Sequence, residues 1–179
     1  MPAPEPSFTP LTGRALNDAQ TRLLARGLPV LNVVEVLAAL TLIVFYRHSG
    51  VPLWQLLLWG AIVLALVLVR QAIIQLLRQL DASSTLGTWR MALMATTVGG
   101  GALFGFALVW LNPAEALFQP GPVTLQALAL TLTLGVTVIA VAICGVHLLT
   151  AALYALAVMV PLAVHLILAS PDYYPFAAG

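Results

Sequence analysis

The sequence predicts an all-α fold, a polytopic integral membrane bundle of about five transmembrane helices with a cytoplasmic N-terminus. Three observations carry that reading. The first is composition: 61% of the 179 residues are hydrophobic and 7% are charged, where soluble domains carry roughly a quarter charged residues, and mean hydropathy is +1.04. The second is a set of apolar runs long enough to cross a bilayer, which takes about 20 residues. None of these runs alternates with enough polar residues to give the wet face a soluble helix needs. The third is the one-sided placement of the basic residues.

Residues 1–27 are polar and proline-containing with no early apolar core, so they read as a cytoplasmic N-terminal segment, not a secretory signal. The spans read as Leu28 to Tyr46, Pro52 to Val69, Trp89 to Leu111, Val123 to Ile143 and Val146 to Ala169. The second is expected to continue as an amphipathic helix through Gln71 to Leu80 at the cytoplasmic surface. All seven basic residues are arginines. Arg14, Arg22 and Arg26 precede the first span and Arg70, Arg78 and Arg90 lie between the second and third, while Arg47 alone falls between the first and second. Because cytoplasmic loops carry the basic excess, the turn Arg47 to Pro52 and the loop Asn112 to Pro122 are expected outside, and the fourth and fifth spans meet in an inside turn near Cys144. The tail, residues 170–179, is then extracytoplasmic, with Tyr173, Tyr174 and Phe176 as interfacial anchors. Cys144 is the sole cysteine and reads as a small packing residue at a helix end.

No Walker loop, HExxH, cysteine pair, nucleophilic serine motif or aspartate-rich phosphotransfer motif is present, so the sequence shows no catalytic site. A net charge of +1 with scattered arginines gives no basic face for nucleic acid. Glu35 is the residue that most needs explaining. Counted from Leu28 it lies about 10 Å into the membrane, and a carboxyl there is expected to be uncharged and to donate a hydrogen bond. Asn32 shares its face. Partners are expected from other helices at the same depth, with His147 the leading candidate and Thr96 and Thr97 behind it. Asn32, Glu35 and His147 are thus the candidate ligand-binding or switch residues, either as a structural polar clamp or as a responsive one.

Gly99, Gly100, Gly101 and Gly105 in the third span are expected to bring helices close, in one chain or across a homodimer, since small residues let backbones approach in lipid. Pro161 is expected to kink the fifth span. His147 and His165 are 18 residues apart, about 27 Å along one helix, and cannot share an ion. His48 and His165 lie at similar depth, but two ligands fall short of the three or four a metal site takes, so no metal and no cofactor is expected.

The segment Trp89 to Trp110, WRMALMATTVGGGALFGFALVW followed by LNP, resembles the third membrane span of bacterial multi-span input domains. Those domains precede sensor histidine kinase, diguanylate cyclase or phosphodiesterase modules. The first span, LPVLNVVEVLAAL, is similar to their opening helix, and the tight turn before the fifth span with a later proline is also like them. The resemblance implies a sensory membrane portion, without catalysis of its own, of a larger signalling protein in the bacterial inner membrane. Its expected partners are the bilayer, a hydrophobic small molecule and a second copy of the chain. A small transporter or channel subunit, or a haem- or quinone-linked membrane subunit, are the alternatives.

Overall fold

The computed structural model describes residues 13–47, 50–79, 86–111 and 123–169. They form α1 (Gly13–Tyr46), α2 (Leu53–Gln79), α3 (Leu86–Leu111), α4 (Val123–Cys144) and α5 (Leu148–Ala169). The chain is a polytopic helical membrane protein. Four of the helices are long and apolar enough to cross a bilayer, and the apolar stretch Leu148–Val164 of α5 is shorter. Apolar side chains cover the outside as well as the inside: Leu37, Val44, Trp54, Leu68, Phe106 and Val138 are all exposed. Such a surface suits lipid and not water.

The helix ends sit close to the expected spans, with one large difference. α1 begins 15 residues before Leu28, because the polar segment that leads into the membrane is itself helical and buries Leu24 and Ala25. α2 runs on to Gln79, as the period of Gln71 to Leu80 led us to expect. The loop Asn112 to Pro122, the tail from Ser170 to Gly179 with Tyr173, Tyr174 and Phe176, and His48 lie outside the described residues.

Two seams hold the bundle. α3 packs most extensively on α5, and the two helices run parallel and in step. A Cβ on Gly101 would lie 2.9 Å from the Tyr154 carbonyl oxygen, and four residues on, one on Gly105 would lie 2.7 Å from that of Val158. A methyl group fits at neither place without moving backbone, so glycine sets the helix separation. Pro161 lies inside α5 and has no N–H to give the carbonyl four residues earlier, that of Ala157. That oxygen would be 2.8 Å from a Gly105 Cβ. The carbonyl left over by proline therefore faces the part of α3 where there is no side chain. On the other side of α3, Trp59 of α2 donates its indole N–H to the Leu103 carbonyl at 3.1 Å and meets Phe104 edge-on at 5.7 Å, a favoured aromatic geometry.

Gly105→Ala is expected to destabilise the bundle by roughly 1–3 kcal/mol through overpacking against fixed carbonyls. At Gly135 nothing lies within 4 Å of a built Cβ, so Gly135→Ala is expected to be neutral or slightly stabilising, since alanine favours helix over glycine. Thermal melts in detergent micelles, read by circular dichroism, separate the two.

Candidate functional site

The stripe of α2 that faces inward is Leu56, Trp59, Val63, Val67, Arg70, Ile73 and Ile74. Arg70 occupies a core position of that stripe and is 0% exposed. Arg70, counted from sequence among the arginines between the second and third spans, lies inside α2, where a guanidinium fills the next inward position of the period.

Arg70 turns toward α1. Its Nη1 donates to Glu35 Oε2 at 3.0 Å, forming an ion pair, and to Asn32 Oδ1 at 2.9 Å. Its Nη2 donates to the Thr96 backbone carbonyl on α3 at 3.0 Å. Tyr154 of α5 completes the set, donating its hydroxyl to Glu35 Oε1 at 3.2 Å. Asn32 then passes its own amide proton to Gln71 Oε1 at 3.1 Å. One buried network thus joins α1, α2, α3 and α5, and Glu35 and Tyr154 are 1% and 0% exposed. Arg70 Nε has no hydrogen-bond partner among the described residues.

Gly100 makes room for this cluster. A Cβ there would stand 2.6 Å from Arg70 Nη2 and 2.7 Å from Glu35 Oε1. The carbonyl that Arg70 reaches, Thr96 O, is one turn earlier on the same face of α3. A side chain at 100 would cover that face and keep the guanidinium out. Gly99 packs on α2 one turn before Arg70, with a Cβ position 3.6 Å from Leu66.

The geometry changes the role of Glu35. Both of its oxygens accept, one from a guanidinium and one from a phenol, so the expected carboxylic acid donor is replaced by a paired acceptor. Its expected partner is replaced too. His147 is not bonded to Glu35; the α5 residue that is, Tyr154, lies seven positions later, about 10 Å further along the axis. Thr96 and Thr97 turn their hydroxyls back onto their own helix, to the carbonyls of Ala92 and Leu93, and only the Thr96 carbonyl joins the network.

His147 belongs to a second polar cluster. It sits in the turn between α4 and α5, outside both helices, and its carbonyl accepts from Ala151 N at 3.2 Å, the bond that starts α5. Its Nε2 lies 2.6 Å from Arg90 Nη2. A guanidinium can only donate, so Nε2 accepts, while Nδ1 faces Thr150, 2.8 Å from its Oγ1 and 3.3 Å from its backbone N–H. Burial and the Arg90 charge both hold the His147 pKa below its usual value. His165 lies in α5, with its side chain outside the described set, so the His48 and His165 pairing is not addressed by these residues.

On the lipid side of the network, α1 and α2 part to leave a groove of about 390 Å³. Val33, Val36, Leu37, Val67 and Leu68 line it, with Asn32 and Gln71 at its polar end. No family model, curated protein or solved structure matches the chain.

Arg70→Met leaves Glu35 as an unpaired buried charge and is expected to cost roughly 3–5 kcal/mol. Combining it with Glu35→Leu removes both charges and is expected to recover most of that loss. Glu35→Gln, whose amide oxygen can still accept, should be milder than Glu35→Leu alone. Unfolding free energies of the four variants in mixed micelles give the coupling directly.

The His147 pKa is lower in the folded chain than in the unfolded one, so the folded state binds fewer protons in acid. Its contribution is therefore complete above about pH 6.5 and falls as pH is lowered. The melting temperature of wild type is expected to drop between pH 7.5 and 5 by more than that of His147→Asn, whose amide oxygen can accept from Arg90 at any pH. Equal drops would remove His147 as the cause.

Proposed function

We propose that the chain is the membrane-embedded sensory, or input, domain of a bacterial signalling protein, a sensor histidine kinase foremost. It would work as a homodimer in the inner membrane with its N-terminus cytoplasmic. The observation that supports this reading best is the Arg70–Glu35 network, which ties α1, α2, α3 and α5 together at one level of an otherwise apolar bundle. It joins more helices than any other polar contact among the described residues, so a stimulus that alters it changes the packing of four helices together. The signal is a hydrophobic ligand, one reaching the outer face, or a change in the bilayer itself. Any of these acts only by favouring one packing over another. The arginine distribution supports the orientation, and the resemblance of Trp89 to Trp110 supports the family.

A transporter subunit is the second reading, favoured by Arg70, which adds a second intramembrane charge beside Glu35. Ion or solute flux in proteoliposomes that is abolished by Glu35→Gln would select it.

The sensor reading is tested by spin-label distances between Leu23→Cys on α1 and Leu148→Cys on α5, both exposed, in a Cys144→Ala background. In bilayers of 14-carbon and 22-carbon lipids, two distances are expected, with their ratio changing about fivefold or more, the usual lower range of allosteric coupling. Glu35→Gln is expected to shift the same ratio. A single distance, unchanged by lipid or by Glu35→Gln, describes a rigid clamp and overturns the proposal.

A further inference from the structure

The groove between α1 and α2 has a feature that the switch does not use. Gln71 takes a hydrogen bond through Oε1, and its Nε2 donates to no group among the described residues while lining the groove. Gln71 follows Leu53 by 18 positions, about 27 Å along α2. That puts it where a hydrocarbon core of about 30 Å ends. Past that level both helices continue and carry arginine on the groove side. On α1, Arg22, Arg26, Pro29 and Val33 are spaced four, three and four apart, and on α2 Val67, Gln71 and Arg78 are spaced four and seven apart. Each set lies along one face of its helix. Arg22, Arg26 and Arg78 are exposed and, among the described residues, make no ion pair or hydrogen bond. Asp18, one turn before Arg22, is the nearest carboxylate on α1, and the only ion pair among the described residues is Arg70–Glu35.

We infer that this face holds an anionic glycerophospholipid from the leaflet at the N-terminal end of α1. An acyl chain lies along Val33, Val36, Leu37, Val67 and Leu68. An ester carbonyl, at the depth where the hydrocarbon ends, accepts from Gln71 Nε2. The phosphate lies toward Arg26, Arg78 and Arg22, whose backbones are about 9 to 15 Å further out along the helices than the bonded pair Asn32 and Gln71, beyond a headgroup layer roughly 5–8 Å thick that their long side chains reach back to. Apolar lining, one neutral donor and three unpaired cations follow one another in the order in which a lipid presents tail, ester and phosphate. The site is independent of whether the chain is a sensor.

The test titrates the full-length chain in detergent micelles with dioctanoyl phosphatidylglycerol and with dioctanoyl phosphatidylcholine, reading tryptophan fluorescence and melting temperature. The anionic lipid is expected to bind about a hundredfold more tightly, since each arginine near an anionic surface contributes roughly fivefold. In the triple variant Arg22→Gln, Arg26→Gln, Arg78→Gln that preference is expected to vanish, and in the triple lysine variant to persist. Gln71→Leu is expected to weaken both lipids alike. The three arginines are exposed, and an unchanged melting temperature without lipid shows that their variants fold, whereas Gln71→Leu also removes the acceptor of Asn32 and is expected to lower the melting temperature without lipid. Equal affinity for the two lipids, survival of the preference in the triple glutamine variant, or reproduction of the effect by inorganic phosphate would each overturn the proposal.

Discussion

A guanidinium with no access to water has to be matched where it lies, and the placement of Arg70 constrains much of this bundle. Removing such a charge from water costs far more than any single contact returns, so the helices around it must bring acceptors at fixed positions. Glu35 brings the opposite charge, Asn32 a side-chain carbonyl and Thr96 a backbone one. None of the three can withdraw without leaving a donor unsatisfied. The requirement extends to residues that do not touch Arg70. Tyr154 holds the carboxylate from the other side, and Gln71 holds Asn32, so the positions of the first acceptors are themselves fixed.

Glycine in α3 follows from the same constraint. Apolar helices in lipid gain little from hydrophobic burial against each other and associate through close packing. Gly101 and Gly105 supply closeness to α5, and Gly100 supplies the space that Arg70 and Glu35 occupy. Consecutive residues point about 100° apart on a helix, so the run of three from Gly99 serves two neighbours, with Gly99 toward α2, Gly100 toward the ion pair and Gly101 toward α5. The GxxxG spacing is only part of its use.

Hydropathy made the helices legible, and the intramembrane depth of Glu35 marked it as a residue needing a partner. The partner was not legible from charge placement. Positive-inside reasoning counts Arg70, which follows Val69 at the end of an apolar run, with the cytoplasmic arginines and so assigns it no partner inside the bundle. The signal that could have found it is periodicity. The spacing Trp59, Val63, Val67, Arg70 and Ile74 runs four, four, three and four, and continues the buried stripe through the arginine without a break. His147 was placed near Glu35 because depth was counted from nominal span ends. The parallel, in-step packing of α3 and α5 fixes depth instead, and it puts Tyr154 at the level of Gly101, one residue from Gly100, and His147 two turns away beside Arg90.

The two polar clusters meet on α5. His147, whose carbonyl caps the start of α5, lies seven residues before Tyr154. The first is held by Arg90 of α3 and the second by Glu35 of α1. Beyond them the α3–α5 seam is smooth, with glycine set against backbone carbonyls. Both clusters thus tie α5 to other helices, one at its very start and one two turns on. Packed elements of this kind move between discrete arrangements and do not deform smoothly. α3 supplies partners to both clusters, Arg90 to the first and the Thr96 carbonyl to the second, so the two polar contacts of α5 share one neighbouring helix.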